Sequence, residues 1–152
     1  MNLVFSEMGR KAIEYGRDEA VRLGHEYIGI EHFLLGIIGL NEGRAIEIMK
    51  KFGFDFQDFL TSMEGKAEST DDMMMVMTQL PLSYNGKCAL TGAGDEARNL
   101  KANEIEPEHL FLAMLKFENE AAVKALAKYK INYDSVFKAL EKKQDGDSSS
   151  LK

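Results

Sequence analysis

One cysteine, Cys88, stands in the whole chain of 152 residues, so no internal disulfide forms. A lone thiol fits a reducing cytosol. No apolar run approaches the roughly 18 residues of a membrane span. The opening Met1-Asn-Leu-Val-Phe-Ser-Glu7 lacks the basic stretch and apolar core of a secretory leader. A cytoplasmic protein with no membrane partner is therefore expected. A basic excess is missing too: the net charge is −6 and the pI near 5.1. Duplex phosphate demands concentrated Lys and Arg, so no nucleic-acid partner is expected. The nucleotide loop G-x-x-x-x-G-K-[ST] is absent, because Gly65-Lys66 and Gly86-Lys87 lack both the upstream glycine and the following hydroxyl residue. This chain by itself is no ordinary P-loop ATPase. H-E-x-x-H and C-x-x-C are absent, and no strand-like run stands out. Apolar residues make up 45% and charged residues 29%, the balance of one globular domain.

What is present is a duplication. Residues 5–60 align with 82–137 at a constant offset of 77 and without a gap. Ser6, Ala12, Asp18, Glu19, Ala20, Leu23, Ile28, Glu31, His32, Leu35 and Ala45 recur as Ser83, Ala89, Asp95, Glu96, Ala97, Leu100, Ile105, Glu108, His109, Leu112 and Ala122. A fixed period marks a repeated supersecondary unit. Two copies are too few for a solenoid, so they are expected to bury their apolar faces against each other. Cys88 corresponds to Lys11, which places it at a half-exposed position.

The periodicity inside each copy is helical. Ala12, Ile13, Ala20 and Leu23 stripe a helix over about 6–23, capped by Ser6 and ended by Gly24. Glu31–Leu40 is nearly apolar all round and reads as the buried helix. Asn41 is expected to cap a third helix over 42–52, closed by Gly53, and Asp55 a fourth over about 56–63. The second copy repeats the plan: Ser83 caps a long helix, Pro107 suits a first turn, and Asn132 caps the last helix, to about 142. The fold class is all-α, with two four-helix repeats packed as one pseudo-two-fold domain over 1–143. Repeat one covers about 5–63, a connector 64–81 and repeat two about 82–142. Residues 144–152, rich in Asp, Gly and Ser, read as a flexible tail or linker. Gly16, Gly92, Ala93 and Gly94 suggest a close crossing of the two long helices. In the connector, Met73, Met74, Met75 and Met77 read as a strip over the seam or as a partner-binding surface.

Glu31-His32 and Glu108-His109 are the only polar pairs repeated at the buried helices. Neighbours on a helix point about 100° apart, so they do not face each other as a catalytic dyad would. The expected role of each glutamate is to meet the positive end of its helix, and of each histidine to be hydrogen-bonded and semi-buried. His25 reads as a surface-turn residue. Glu106-Pro-Glu-His109 matches the E-x-x-H of di-iron bundles, but its counterpart Gly29-Ile-Glu-His32 lacks the first carboxylate. No metal and no cofactor are expected.

Phe5-Ser6 opening a long helix, Tyr27-Ile-Gly-Ile-Glu-His-Phe-Leu-Leu-Gly-Ile37, and the same register in the second copy together resemble the duplicated N-terminal repeat domain of Clp ATPases, the ClpC type in particular. The resemblance covers about 3–140. It implies a non-enzymatic domain that recognises protein substrates and adaptor proteins and passes substrates to a Clp ATPase ring, in cis or in trans. An alternative is a stand-alone helical regulator that binds a Clp component through an apolar surface. Some ClpC-type domains bind phosphoarginine on tagged proteins, and the resemblance carries that role to Glu31 and Glu108, with Ser6 and Ser83 adding hydroxyls. A carboxylate suits the planar guanidinium, and a helix start suits the phosphate. Where relatives often have Thr before the Glu-His pair, this chain has Ile30 and Pro107. The resulting expectation is an outward carboxylate at the start of each inner helix.

Overall fold

The offset of 77 residues carries into the backbone of the computed structural model, which describes residues 3–66 and 80–150, the side chains only to 141. Helices α1 (Glu7–Arg22), α2 (Ile30–Leu40), α3 (Arg44–Lys51) and α4 (Phe56–Glu64) form the first copy. Helices α5 (Tyr84–Asn99), α6 (Pro107–Met114), α7 (Ala121–Ala127) and α8 (Tyr133–Ser150) form the second. All four starts in the second copy lie 77 residues after those in the first, and α1 and α5 also end in register.

Local chemistry explains the starts. Ser6 Oγ accepts from Gly9 N–H and Ser83 Oγ from Gly86 N–H, both at 3.0 Å. Asp55 accepts from Asp58 N–H and Asn132 from Ser135 N–H, both at 2.9 Å. These are side-chain caps on amides that have no intrahelical partner. Asn41 does something else. It takes a left-handed conformation at φ 55° and ends α2, while Gly43 precedes α3. Its short polar side chain tolerates that backbone, which serves a helix end as well as a start.

The tail expected from residue 144 is instead helical as far as Ser150. No proline interrupts this stretch, and extending an existing helix costs far less than nucleating one.

Each inner helix lies against its own outer one, α1 on α2 and α5 on α6. The small residues serve these crossings, not a contact between the two long helices. A Cβ on Gly16 would sit 2.6 Å from His32 O, and one on Gly36 would sit 1.9 Å from Ala12 O. In the second copy the equivalents are Ala93 and Ala113, both buried. The crossing there has room for methyl groups.

The halves are tied by exchange. Ser6 N–H donates to Ile105 O at 3.0 Å and Ile105 N–H to Val4 O at 2.9 Å. In the mirror arrangement, Ser83 N–H donates to Ile28 O and Ile28 N–H to Pro81 O, both at 2.9 Å. The lead-in of each copy therefore pairs, as one parallel bridge, with the segment before the inner helix of the other. Gly9 and Gly86 allow this approach, since a Cβ on them would lie 2.6 Å from Ile105 O and 3.0 Å from Ile28 O. Phe33, Leu34, Ile37, Leu110, Phe111, Leu112 and Met114 are fully buried, so α2 and α6 form the centre of the core.

Candidate functional site

The exchanged pairing has a consequence for site geometry. Ser83 belongs with the start of α2, and Ser6 with the start of α6. Each acidic helix start is therefore flanked by the serine of the other copy. Ser6 Oγ donates to Glu106 Oε1 at 2.7 Å and is buried. Glu106 corresponds to Gly29, so the half-buried Ser83 has no matching carboxylate to bind.

Both inner helices are capped by histidine. Gly29 N–H donates to His32 Nδ1 at 2.9 Å, and Glu106 N–H donates to His109 Nδ1 at 2.8 Å. An accepting Nδ1 in a neutral ring places the proton on Nε2. His32 Nε2–H then donates to His25 Nδ1 at 2.7 Å, and His25 Nε2–H to Lys66 O at 2.9 Å. His25 is thus buried in a relay instead of lying on a surface turn. Its counterpart, Ala102, has no such chemistry. Burial pushes His32 and His109 down to about 4, His32 also losing to nearby His25 and gaining from Glu31. Both ring nitrogens of His32 are engaged with partners other than Glu31, which leaves no Glu-His dyad in the first copy.

The glutamates differ sharply. Glu31 is half-buried and accepts from Tyr27 O–H at 2.6 Å. It is one of the residues lining a groove of about 320 Å³ between the copies. Phe54 and Tyr129, in edge contact at 5.2 Å between ring centres, line it, with Ala121 and Lys124 on the wall from α7 and Asp58 from α4. That volume suits one side chain of a partner more than a long segment. The groove has charges of both signs, with Asp55, Asp58 and Glu120 and also Lys66, Lys124 and Lys128 in its lining.

Glu108 departs from the expected outward carboxylate. It is 7% exposed, and Arg44 Nη1 from the other copy lies 4.0 Å from its Oε2. Burial raises its pKa, opposed by a hydrogen bond to its own backbone N–H and by Arg44. Pro107 has no N–H, so the first turn of α6 has little left to offer an anion. The first turn of α2 begins with Ile30 and Glu31, whose amides have no intrahelical acceptor.

The strip Met73, Met74, Met75 and Met77 lies outside the described residues. Among the described residues, no group of three or more His, Cys, Asp or Glu side chains is placed to hold a metal ion. No helix there is long and apolar enough to cross a membrane. Sequence reasoning missed Arg44, Tyr27 and His25. Arg44 lies in no motif and Tyr27 only at the edge of one; each of the three nevertheless breaks the repeat, Arg44 against Ala121, Tyr27 against Glu104 and His25 against Ala102.

Comparison with known proteins gives a consistent answer. The sequence profile of the family described as the Clp repeat (R) N-terminal domain matches residues 4–84 and again 82–146. The chloroplastic chaperone protein ClpC of Pisum sativum is 33% identical over 125 residues, 80% of this chain and 13% of that protein. A chloroplastic ClpA homolog of Brassica napus, an ATP-dependent Clp protease ATP-binding subunit, is 33% identical over 80% of this chain and 14% of its own length. The chain thus spans about one seventh of these relatives. Among solved structures, the Hsp104 N-terminal domain from Candida albicans superposes with a TM-score of 0.70 at 17% identity, covering 90% of this chain and 89% of that one. The N-terminal domain of ClpD from Arabidopsis thaliana gives 0.59 at 20% identity, covering 93% and 94%.

Proposed function

This chain belongs to the Clp repeat N-terminal domain family, and from that premise we propose that it recognises protein substrates and adaptors for a Clp-type unfoldase ring, in cis or in trans. It is a binding domain and performs no catalysis itself. The observation that carries this reading is the groove between the copies, with Phe54, Tyr129 and Glu31 in its lining. Its compartment is the reducing cytosol that a lone Cys88 fits.

At finer grain, the ligand is a phosphoarginine side chain on a tagged protein. Glu31 receives the guanidinium through paired hydrogen bonds. Tyr27, whose hydroxyl already holds Glu31, fixes the carboxylate. The phosphate lies toward the Ile30 and Glu31 amides, with the Ser83 hydroxyl nearby. A carboxylate alone repels phosphate, so the cation is required for the anion to approach. Lys66, Lys124 or Lys128 adds positive charge for the phosphate at longer range.

Calorimetry with a phosphoarginine peptide tests this. Binding is expected in the wild type and lost, by at least about tenfold in affinity, in Glu31→Ala. The unphosphorylated arginine peptide should bind more weakly. No heat with the phosphopeptide, or equal affinity in Glu31→Ala, contradicts the phosphoarginine reading. Failure to retain any client protein or Clp component from a lysate contradicts the broader one.

A further inference from the structure

Arg44 and Ala121 are equivalent residues, 77 apart, and each is the first residue of its copy's third helix. Each third helix packs on the inner helix of the other copy, α3 on α6 and α7 on α2. Equivalent placement puts Arg44 against Glu108 and puts Ala121 in the wall of the groove that Glu31 also lines. The Arg44 guanidinium is anchored there. Its Nη2 donates to Leu140 O at 2.6 Å, and its Nη1 faces the Glu108 carboxylate at 4.0 Å. Its Nε is buried without an acceptor. That unsatisfied donor is a cost that the contacts of the rest of the side chain must offset.

We propose that Arg44 is a built-in guanidinium occupying the ligand position of the second copy, and that Ala121 keeps the equivalent position of the first copy open. The chain then takes one guanidinium-bearing ligand, at Glu31, although its sequence is duplicated. This rests on the reading above that a carboxylate at an inner-helix start receives a guanidinium. It adds which residue decides whether a copy is available.

Three features agree. Glu31 is half-buried beside a groove, whereas Glu108 is 7% exposed. Alanine lacks the whole propylguanidinium that fills the equivalent place in the other half. The α6 start also has fewer free donors, since Pro107 has no N–H, the Glu108 amide bonds its own carboxylate, and Ser6 is committed to Glu106. The second copy is thereby closed to both the cationic and the anionic part of a phosphoarginine. Arg44 also ties the copies together through Leu140, the last apolar residue of α8 to be buried in the core.

The test is a titration of the full chain with Nω-phospho-L-arginine, with L-arginine amide and inorganic phosphate as separate arms. The wild type should bind one phosphoarginine per chain. Ala121→Arg should abolish that binding. Arg44→Ala should add a second site, which is lost again when Glu108→Gln is combined with it. Arg44→Met, which keeps an apolar stem of similar length, serves if Arg44→Ala does not fold. Two sites in the wild type overturn the proposal and leave the guanidinium reading standing. A single site unaffected by both Ala121→Arg and the Arg44 variants does the same. A separate readout needs no ligand: the Arg44 Nε–H signal in a nitrogen-edited spectrum should shift and exchange faster with water in Glu108→Gln. An unchanged Arg44 signal overturns the internal pairing. A shifted signal, with no variant binding any of the three probes, retains the pairing but overturns the guanidinium reading and the site count with it.

Discussion

The two copies share a backbone and part company in their chemistry. In the first, the carboxylate that opens the inner helix lies half-buried in the lining of a groove, held by Tyr27. In the second, the same carboxylate is buried under Arg44 from the other half. The replacements that separate them include Tyr27 by Glu104, Gly29 by Glu106, Ile30 by Pro107, Arg44 by Ala121 and His25 by Ala102. None disturbs a helix start or the exchanged bridges. Duplication therefore kept what packing requires and let the polar groups around the two helix starts diverge. One half retained an approachable acid, and the other used its acid as an internal strut.

The sharpest break between the halves lies in the inner crossing. Gly36 has no space for a Cβ, with Ala12 O at 1.9 Å, whereas its equivalent Ala113 already has one. Gly36→Ala should cost about 3 kcal/mol through a forced backbone shift. Ala113→Gly should cost about 2 kcal/mol, the helix-propensity difference together with one buried methyl group. Urea midpoints at constant m-value measure both, and equal losses would deny that the first crossing is the tighter.

Acid should affect both halves, through the capping histidines. His32 and His109 are depressed from 6.5 to about 4, so the folded state disfavours their protonation. Their stabilisation is present above pH 6.5 and is lost as the pH falls toward 4. Each should take away about 2 kcal/mol between pH 7 and pH 5. Glu108 has the opposite sign: its raised pKa favours the folded state at low pH and withdraws that favour as the pH rises through its own value. Asparagine in place of either histidine keeps an acceptor for the Gly29 or Glu106 amide, and should remove roughly half of the pH dependence. The His32 variant should also strand His25, whose Nδ1 loses its donor. A pH dependence untouched by both variants would refute the assignment.

Much of the fold was legible in the sequence because repetition checks itself. A serine before a helical stripe is a weak signal once and a strong one when Ser6 and Ser83 share a register. The all-α class, the eight helix starts to within a few residues and the buried inner helices follow from that. Asn41 was misread because asparagine suits a helix end at positive φ as well as a cap. The terminal helix ran past its expected stop because nothing in Gln144–Ser150 forbids extension. The site was less legible. Glu31 and Glu108 share the Glu-His pair, and the flanking Gly29-Ile30 and Glu106-Pro107 do not by themselves say which carboxylate is covered; tertiary contact decides that: the exchanged bridges bring Ser6 to α6 and Ser83 to α2, and α3 delivers Arg44 across the seam. Such contacts leave no spacing in the sequence. The left-handed turns show the same limit from the other side. Gly24 and Gly53 at φ 75° and 80° match Lys101 and Lys130 at 59° and 64°, so the second copy adopts with lysine a conformation that glycine makes easy.

The central claim is that the first copy alone offers its acidic helix start to a partner. Amide chemical-shift mapping with a phosphoarginine peptide addresses it directly. The account predicts perturbations concentrated at Tyr27, Ile30, Glu31, Ala121 and Lys124, with Arg44, Glu108 and His109 unmoved. Comparable shifts around Glu108 and Arg44, or shifts only at sites remote from Glu31, would contradict it.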